Sequence, residues 1–194
     1  MLRRLGPADY RDVPWKNGGG VTRELLRLPH PRDPGRFFLR LSIATVDTPG
    51  PFSSFPGVDR TLVLLDGDGV ALSFGDGPEV LLDRPLRPLS FPGEAPVEAR
   101  LLGGAIRDFN LMVDRGVGSA SLRVVHLEPH DAQRIEARGL LLVHLLSGHL
   151  QIDDEPMVAH ETLLFDRAGH RTLRGSAALA IVIEPTGWPQ AAEN

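Results

Sequence analysis

The sequence predicts an all-β chain organised as two related barrels packed together. Three observations carry this. The 194 residues include 21 Gly and 17 Pro, spread between short apolar runs, a density that calls for many turns and few long helices. The apolar runs recur at regular intervals bounded by turn residues, as in a sandwich or barrel. A weak internal repeat joins Leu62–Gly67 (LVLLDG) to Val143–Gly148 (VHLLSG), and Leu89–Gly93 (LSFPG) to Leu163–Gly169 (LLFDRAG). Each pair places an apolar strand before a turn and then a second strand ending in Phe. Arg115–Ser119 (RGVGS) marks the expected boundary, with an N-terminal barrel over residues 1–115 and a C-terminal barrel over 116–194.

In order, residues 1–17 read as an irregular or edge segment. Val21–Leu28 reads as a strand on which Thr22 and Glu24 share a face, because side chains alternate. Phe37–Val46 (FFLRLSIATV) is the clearest strand: Leu39, Leu41 and Ile43 point one way, Arg40, Ser42 and Ala44 the other. Arg60–Leu65 and Val70–Phe74 flank Asp66-Gly67-Asp68-Gly69, a hairpin signal. Glu79–Asp83, Leu89–Phe91, Val97–Leu102 and Asp108–Val113 complete the first half. The second half reads as Leu122–Leu127, a charged connector, Leu140–Leu146, a Ser147-Gly148 turn, Leu150–Ile152, Thr162–Phe165, Arg171–Leu173 and Leu179–Ile183.

A hydrophobic content of 42% suffices for a core without disulfides. The net charge is −4 and no polybasic stretch stands out, so nucleic acid and membrane surfaces have no electrostatic support as partners. Cys is absent, which removes disulfides, thiolate nucleophiles and Cys-based zinc sites. The opening MLRRLGPADYRD lacks the apolar core of a signal peptide, and no apolar run reaches the roughly 18 residues of a membrane span. A cytoplasmic location is expected.

Asn17-Gly18-Gly19-Gly20 is the most unusual short segment. Its glycines allow positive φ and close approach to the backbone, and successive amides could cradle an anion. A tight structural bend accounts for it equally well, and the spacing is not that of a P-loop. Charged and amide side chains also fall on strand faces: Thr22 and Glu24, Arg40 and Ser42, Arg60, and Asp108 and Asn110. In a barrel one face of each strand points inward, where a charge is costly unless paired. Two readings follow. Glu24 and Asp108 neutralise Arg40 and Arg60 in a closed network or on solvent-exposed faces, or the set lines a pocket for a small anion. Arg suits a carboxylate through its planar donor fork. The Asp66/Asp68 pair fails the EF-hand pattern and no GxSxG elbow occurs.

The blocks Trp15, Asn17–Gly20, Thr22 and Glu24; Arg40–Ala44; Gly50–Ser53 with Phe55, Gly57 and Arg60; and Asp108–Met112 occur in one order across the first half. In this the chain resembles the HutD/Ves family. The resemblance implies a bicupin fold of two jelly-roll barrels, a cytoplasmic place and no obligatory metal. It further implies a link to bacterial histidine utilisation or stress response, with acidic intermediates such as urocanate or N-formylglutamate as ligands. Cupin-like barrels often hold a metal through an HxH strand and a later Glu. No HxH occurs here, His126 and His130 are separated by a Pro-containing stretch, and no metal or other cofactor is expected.

The leading expectation is a binder of a small anionic metabolite in a regulatory or moderating role. Arg40 and Arg60 would hold a carboxylate, Asn17, Ser42 and Asn110 would orient it, and Thr22 belongs to the same ligand-binding set. Glu24 and Asp108 would orient the arginines or accept ligand N–H groups, and the Gly18–Gly20 amides would close one wall. Two other readings stay open. One is a metal-free hydrolase, isomerase or deformylase using Glu24 or Asp108 as general base. The other is a protein-interaction module marked by a large exposed apolar patch. A homodimer that protects an edge strand is also expected.

Overall fold

The computed structural model describes residues 2–15 and 18–188. Among them the chain is β-sheet throughout, its helical content a single turn of 3-10 helix at Pro7–Asp9. No helix among the described residues is long and apolar enough to cross a membrane. The strands form two compact units, Tyr10–Val117 and the remainder.

Strand β1 (Leu2–Leu5) belongs to the second unit, where it pairs antiparallel with Thr162–Phe165. The division by sequence at residue 115 therefore misses residues 1–9, because nothing local in LRRL announces a partner that lies far along the chain. The N-terminal barrel contains β2 (Arg11–Pro14), β3 (Gly20–Pro29), β4 (Phe37–Val46), β5 (Gly50–Pro51), β6 (Val58–Asp66), β7 (Val70–Phe74), β8 (Val80–Leu82), β9 (Pro88–Pro92), β10 (Val97–Leu101) and β11 (Ile106–Asp114). They form a six-stranded sheet, β2-β3-β4-β11-β6-β9, and a four-stranded sheet, β5-β10-β7-β8. Ala44, Leu62, Leu64, Phe91 and Ile106 from the first meet Val70, Leu72, Leu82, Val97 and Ala99 from the second in one core. Strands β4, β6 and β11 are buried on both faces: Leu39, Leu41, Val63 and Phe109 are as inaccessible as Leu62 and Leu64. Their near-continuous apolar runs match that double burial.

Asp66-Gly67-Asp68-Gly69 does not close a hairpin. Strand β6 pairs with β9 and β11, and β7 with β8 and β10, so this turn carries the chain from one sheet to the other. Gly67 and Gly69 adopt φ of 98° and 107°. A Cβ at Gly67 would lie 2.7 Å from the Ala105 carbonyl oxygen, so the corner requires glycine twice over.

The C-terminal barrel adds β12 (Ser119–Leu127), β13 (Ala132–Ala137), β14 (Leu141–Ile152), β15 (Glu155–Val158), β16 (Thr162–Phe165) and β17 (Gly169–Thr186). The segment read as a charged connector thus contains a strand, β13, paired with β17. The expected Ser147-Gly148 turn is a bulge within the continuous β14, with Gly148 at φ 80°. The long β14 and β17 bend so that one seven-stranded sheet wraps a single core, which includes Val125, Leu141, Val143, Leu150, Leu163, Leu173 and Val182.

Both barrels follow one pairing plan, and it accounts for the internal repeat. The first half of β14 pairs with β16 and the end of β17, as β6 pairs with β9 and β11. Its second half pairs with β15 and the start of β17, as β7 pairs with β8 and β10.

Candidate functional site

Strand register decides which side chains share the inner face of the six-stranded sheet. Glu24 stands opposite Ser42, and Ser42 opposite Asn110. Thr22 stands opposite Ala44, and Ala44 opposite Asp108. Arg40 and Arg60 flank Met112 from either side. Because the side-chain period is two, all of these groups project to the same side. They meet at a cavity of about 500 Å³ lined by Thr22, Arg40, Ser42, Arg60, Asp108 and Asn110, with an apolar surround that includes Trp15, Phe52, Phe55 and Met112. Every lining residue lies within the N-terminal barrel.

Arg60 is the centre of the arrangement and is only 6% exposed. Its guanidinium carbon lies 5.1 Å from the Phe52 ring centre, 5.7 Å from that of Phe55 and 5.2 Å from that of Phe91. Ring faces attract a cation and partly replace its lost hydration. Arg60 Nη2 donates to Asn110 Oδ1 at 2.9 Å, and Nη1 reaches the Ser53 carbonyl at 3.4 Å. Among the described residues its buried Nε has no hydrogen-bond partner. Burial draws the Arg60 pKa down to about 10, opposed by the Asp108 charge and assisted by that of Arg40, so the guanidinium stays charged at neutral pH.

Asn110 passes the interaction on: its Nδ2 donates to Asp108 Oδ1. Asp108 is 1% exposed, and burial pushes its carboxyl up to about 7 against the lowering effect of Arg60. Its proton is therefore exchangeable near neutral pH. Nearby, Arg40 Nε donates to Glu24 Oε2 at 2.7 Å, a partly solvated ion pair. Trp15 Nε1 donates to Thr22 Oγ1 at 2.8 Å, which fixes the indole as part of the wall.

Of the residues anticipated from sequence, Thr22, Arg40, Ser42, Arg60, Asp108 and Asn110 line one hollow. Glu24 is not among the lining residues and acts on the site through Arg40. Gly18 and Gly19 are not in the wall either. They carry the turn between β2 and β3, where Gly18 has φ 72° and donates to the Trp15 carbonyl. The wall expected from the glycine amides is supplied by Val13, Pro14 and Trp15. Asn17 lies outside the described residues. Sequence reasoning missed the aromatic box around Arg60. Its trace was two Phe residues, Phe52 and Phe55, in a Pro/Gly loop that had no apolar strand to serve. Among the described residues, no group of three or more His, Asp or Glu side chains converges as a metal site.

The model of the HutD family matches residues 7–183. The chain belongs to the HutD family. It is 38% identical over 170 residues to Protein Ves of Cronobacter sakazakii, covering 86% of this chain and 89% of that one. It is 45% identical over 119 residues to an uncharacterised 21.2 kDa Pseudomonas putida protein named for its place in the hutC 3' region; that match spans 58% of each. HutD from Pseudomonas fluorescens superposes with a TM-score of 0.82 at 30% identity, covering 96% of this chain and all (100%) of that one. The bacterial pirin YhhW from Escherichia coli superposes at 0.72 with 9% identity, over 94% and 98% of the two chains, a likeness of fold alone. The chain thus has the all-β fold of two cupin-like barrels that was expected of it.

Proposed function

We propose that this member of the HutD family binds a small carboxylate-bearing metabolite in the N-terminal cavity and serves a regulatory or moderating role in histidine catabolism. The observation that carries the reading is Arg60: a buried guanidinium facing a cavity, cushioned by three rings, with no carboxylate bonded to it and its Nε unpartnered among the described residues. A buried donor without an acceptor is costly, and a carboxylate supplies two acceptors in the geometry of the guanidinium fork. The cavity volume, about 500 Å³, suits a ligand of metabolite size. Ser42 and Asn110 would fix orientation, and Phe52, Phe55, Trp15 and Met112 would cover a flat or apolar body. Family membership makes urocanate and N-formylglutamate the first ligands to try.

Calorimetric titration of the wild type and Arg60→Met with these two acids tests the reading. Loss of a charge-assisted bond should weaken binding about 10- to 100-fold. Unchanged affinity would remove Arg60 from the site, and no binding of either acid would remove both candidates.

A second reading rests on the Asp108 carboxyl, whose pKa of about 7 suits a general base for proton abstraction in a metal-free reaction. Turnover of either acid by the wild type, abolished in Asp108→Asn, is its test.

A further inference from the structure

The formal charges around the cavity already cancel. Arg40 is matched by Glu24 at 2.7 Å, and Arg60 by Asp108 through the intervening Asn110. A carboxylate ligand adds a negative charge to a hollow whose other lining residues, among them Val13, Pro14, Trp15, Phe52 and Met112, carry no charge to offset it. Uncompensated charge in such surroundings is expensive. Two negative groups sharing one buried site favour retention of a proton on one of them.

We propose that a carboxylate enters this cavity together with one proton, which Asp108 takes up from solvent; this rests on the carboxylate-binding reading above. Asp108 Oδ1 accepts from Asn110, so the proton adds to Oδ2, and the carboxyl becomes a hydrogen-bond donor to the ligand. Arg60 is thereby released from balancing Asp108 and is left to the incoming anion.

The charged groups that share the cavity with Asp108 are Arg60 on β6 and Arg40 on β4; Glu24 on β3 lies on the same sheet face, bonded to Arg40, without lining the cavity. Arg60 keeps its proton at neutral pH. Glu24 is directly bonded to Arg40 and keeps contact with water, so its charge is already compensated. Asp108 is bonded to an amide rather than a cation and is shielded from water, which makes it the acceptor. Burial holds the Asp108 carboxyl near the midpoint of titration at neutral pH, so the proton costs little to add.

Calorimetric titration with formate and with cinnamate, neither of which titrates near neutral pH, is the test. Run at about pH 8 in Hepes and in Tris, which differ in ionisation enthalpy, it should show uptake of about one proton per carboxylate bound. Uptake should fall towards none at about pH 6, where Asp108 already carries the proton. Affinity should weaken close to tenfold per pH unit above about pH 7. In Asp108→Asn both the uptake and the pH dependence should vanish. Binding at about pH 8 with no buffer-dependent heat overturns the proton-coupled inference and leaves carboxylate binding standing. Uptake that survives in Asp108→Asn overturns the assignment to Asp108. Failure of both acids to bind at any pH overturns both. Should Asp108→Asn not fold, the wild-type pH series decides.

Discussion

In the C-terminal barrel the positions corresponding to Arg60, Asn110 and Asp108 are Leu141, Val182 and Ala180, and all three belong to its apolar core. The register shows the correspondence. Arg60 stands opposite Phe91 in β9, and Leu141 opposite Phe165 in β16. Leu62–Asn110 and Leu64–Asp108 across one barrel match Val143–Val182 and Leu145–Ala180 across the other. One pairing plan therefore supports two interiors. At these positions the C-terminal interior presents Leu, Val and Ala, which pack within one apolar cluster. The polar interior leaves a hollow, because a guanidinium and a carboxyl cannot be packed among Leu and Val without stranding their donors and acceptors. The shared backbone plan does not by itself create the site; polar side chains on its inner face do, Arg60, Asn110 and Asp108 among them.

The corners differ as well. The N-terminal barrel breaks at Asp66–Gly69 into separate strands, whereas β14 runs through the same bend with a bulge at Ser147–Gly148. Broken corners give separate sheets, and the loop from Pro51 to Phe55, which follows one short edge strand, supplies two of the three rings around Arg60.

Placing the N-terminal residue in the filled barrel should have the largest effect. Leu141→Arg buries a cation with no acid, amide or aromatic box prepared for it. It should cost at least about 4 kcal/mol or prevent folding. Urea denaturation measures this, and a loss under about 1 kcal/mol would mean that the two interiors are interchangeable after all.

Next comes Asp108. Burial raises its carboxyl to about 7 in the folded chain, against 3.8 for an unperturbed Asp. The folded state thus binds the proton more tightly. Between these values unfolding releases a proton, and stability falls as pH rises from about 4 to about 7 before levelling. The Asp108→Asn variant lacks this fall. Relative to the wild type it should gain on the order of 3 kcal/mol on going from about pH 4 to about pH 8. Urea midpoints for both proteins at the two pH values read this out, and parallel curves would mean that Asp108 is not buried as a titrating group.

The smallest change sharpens the role of the wall. Trp15→Phe keeps a ring but removes the donor to Thr22, and should cost about 1 kcal/mol in stability. A loss several times larger would make Trp15 a core element of the barrel instead of a wall of its cavity.

Much of the candidate site was legible because alternation along a strand is local. Arg40 and Ser42 share a face whatever strand lies beside them, and so do Asp108 and Asn110. Strand Phe37–Val46 is bounded as its apolar pattern indicates, and the positions of most other strands follow from turn residues at their ends. The sequence alone marks most of the longer strands, though not β1, β2 or β13, and it establishes which side chains along them share a face and that the chain carries a family pattern in its first half. Partner choice depended on the folded chain. Asp66-Gly67-Asp68-Gly69 has hairpin chemistry yet joins two sheets, β1 pairs with a strand at the other end of the chain, and Gly18 and Gly19 turn a hairpin instead of lining a wall. These outcomes depend on the burial gained by bringing distant segments together. That gain is a property of the whole packed interior, and short stretches of sequence do not contain it.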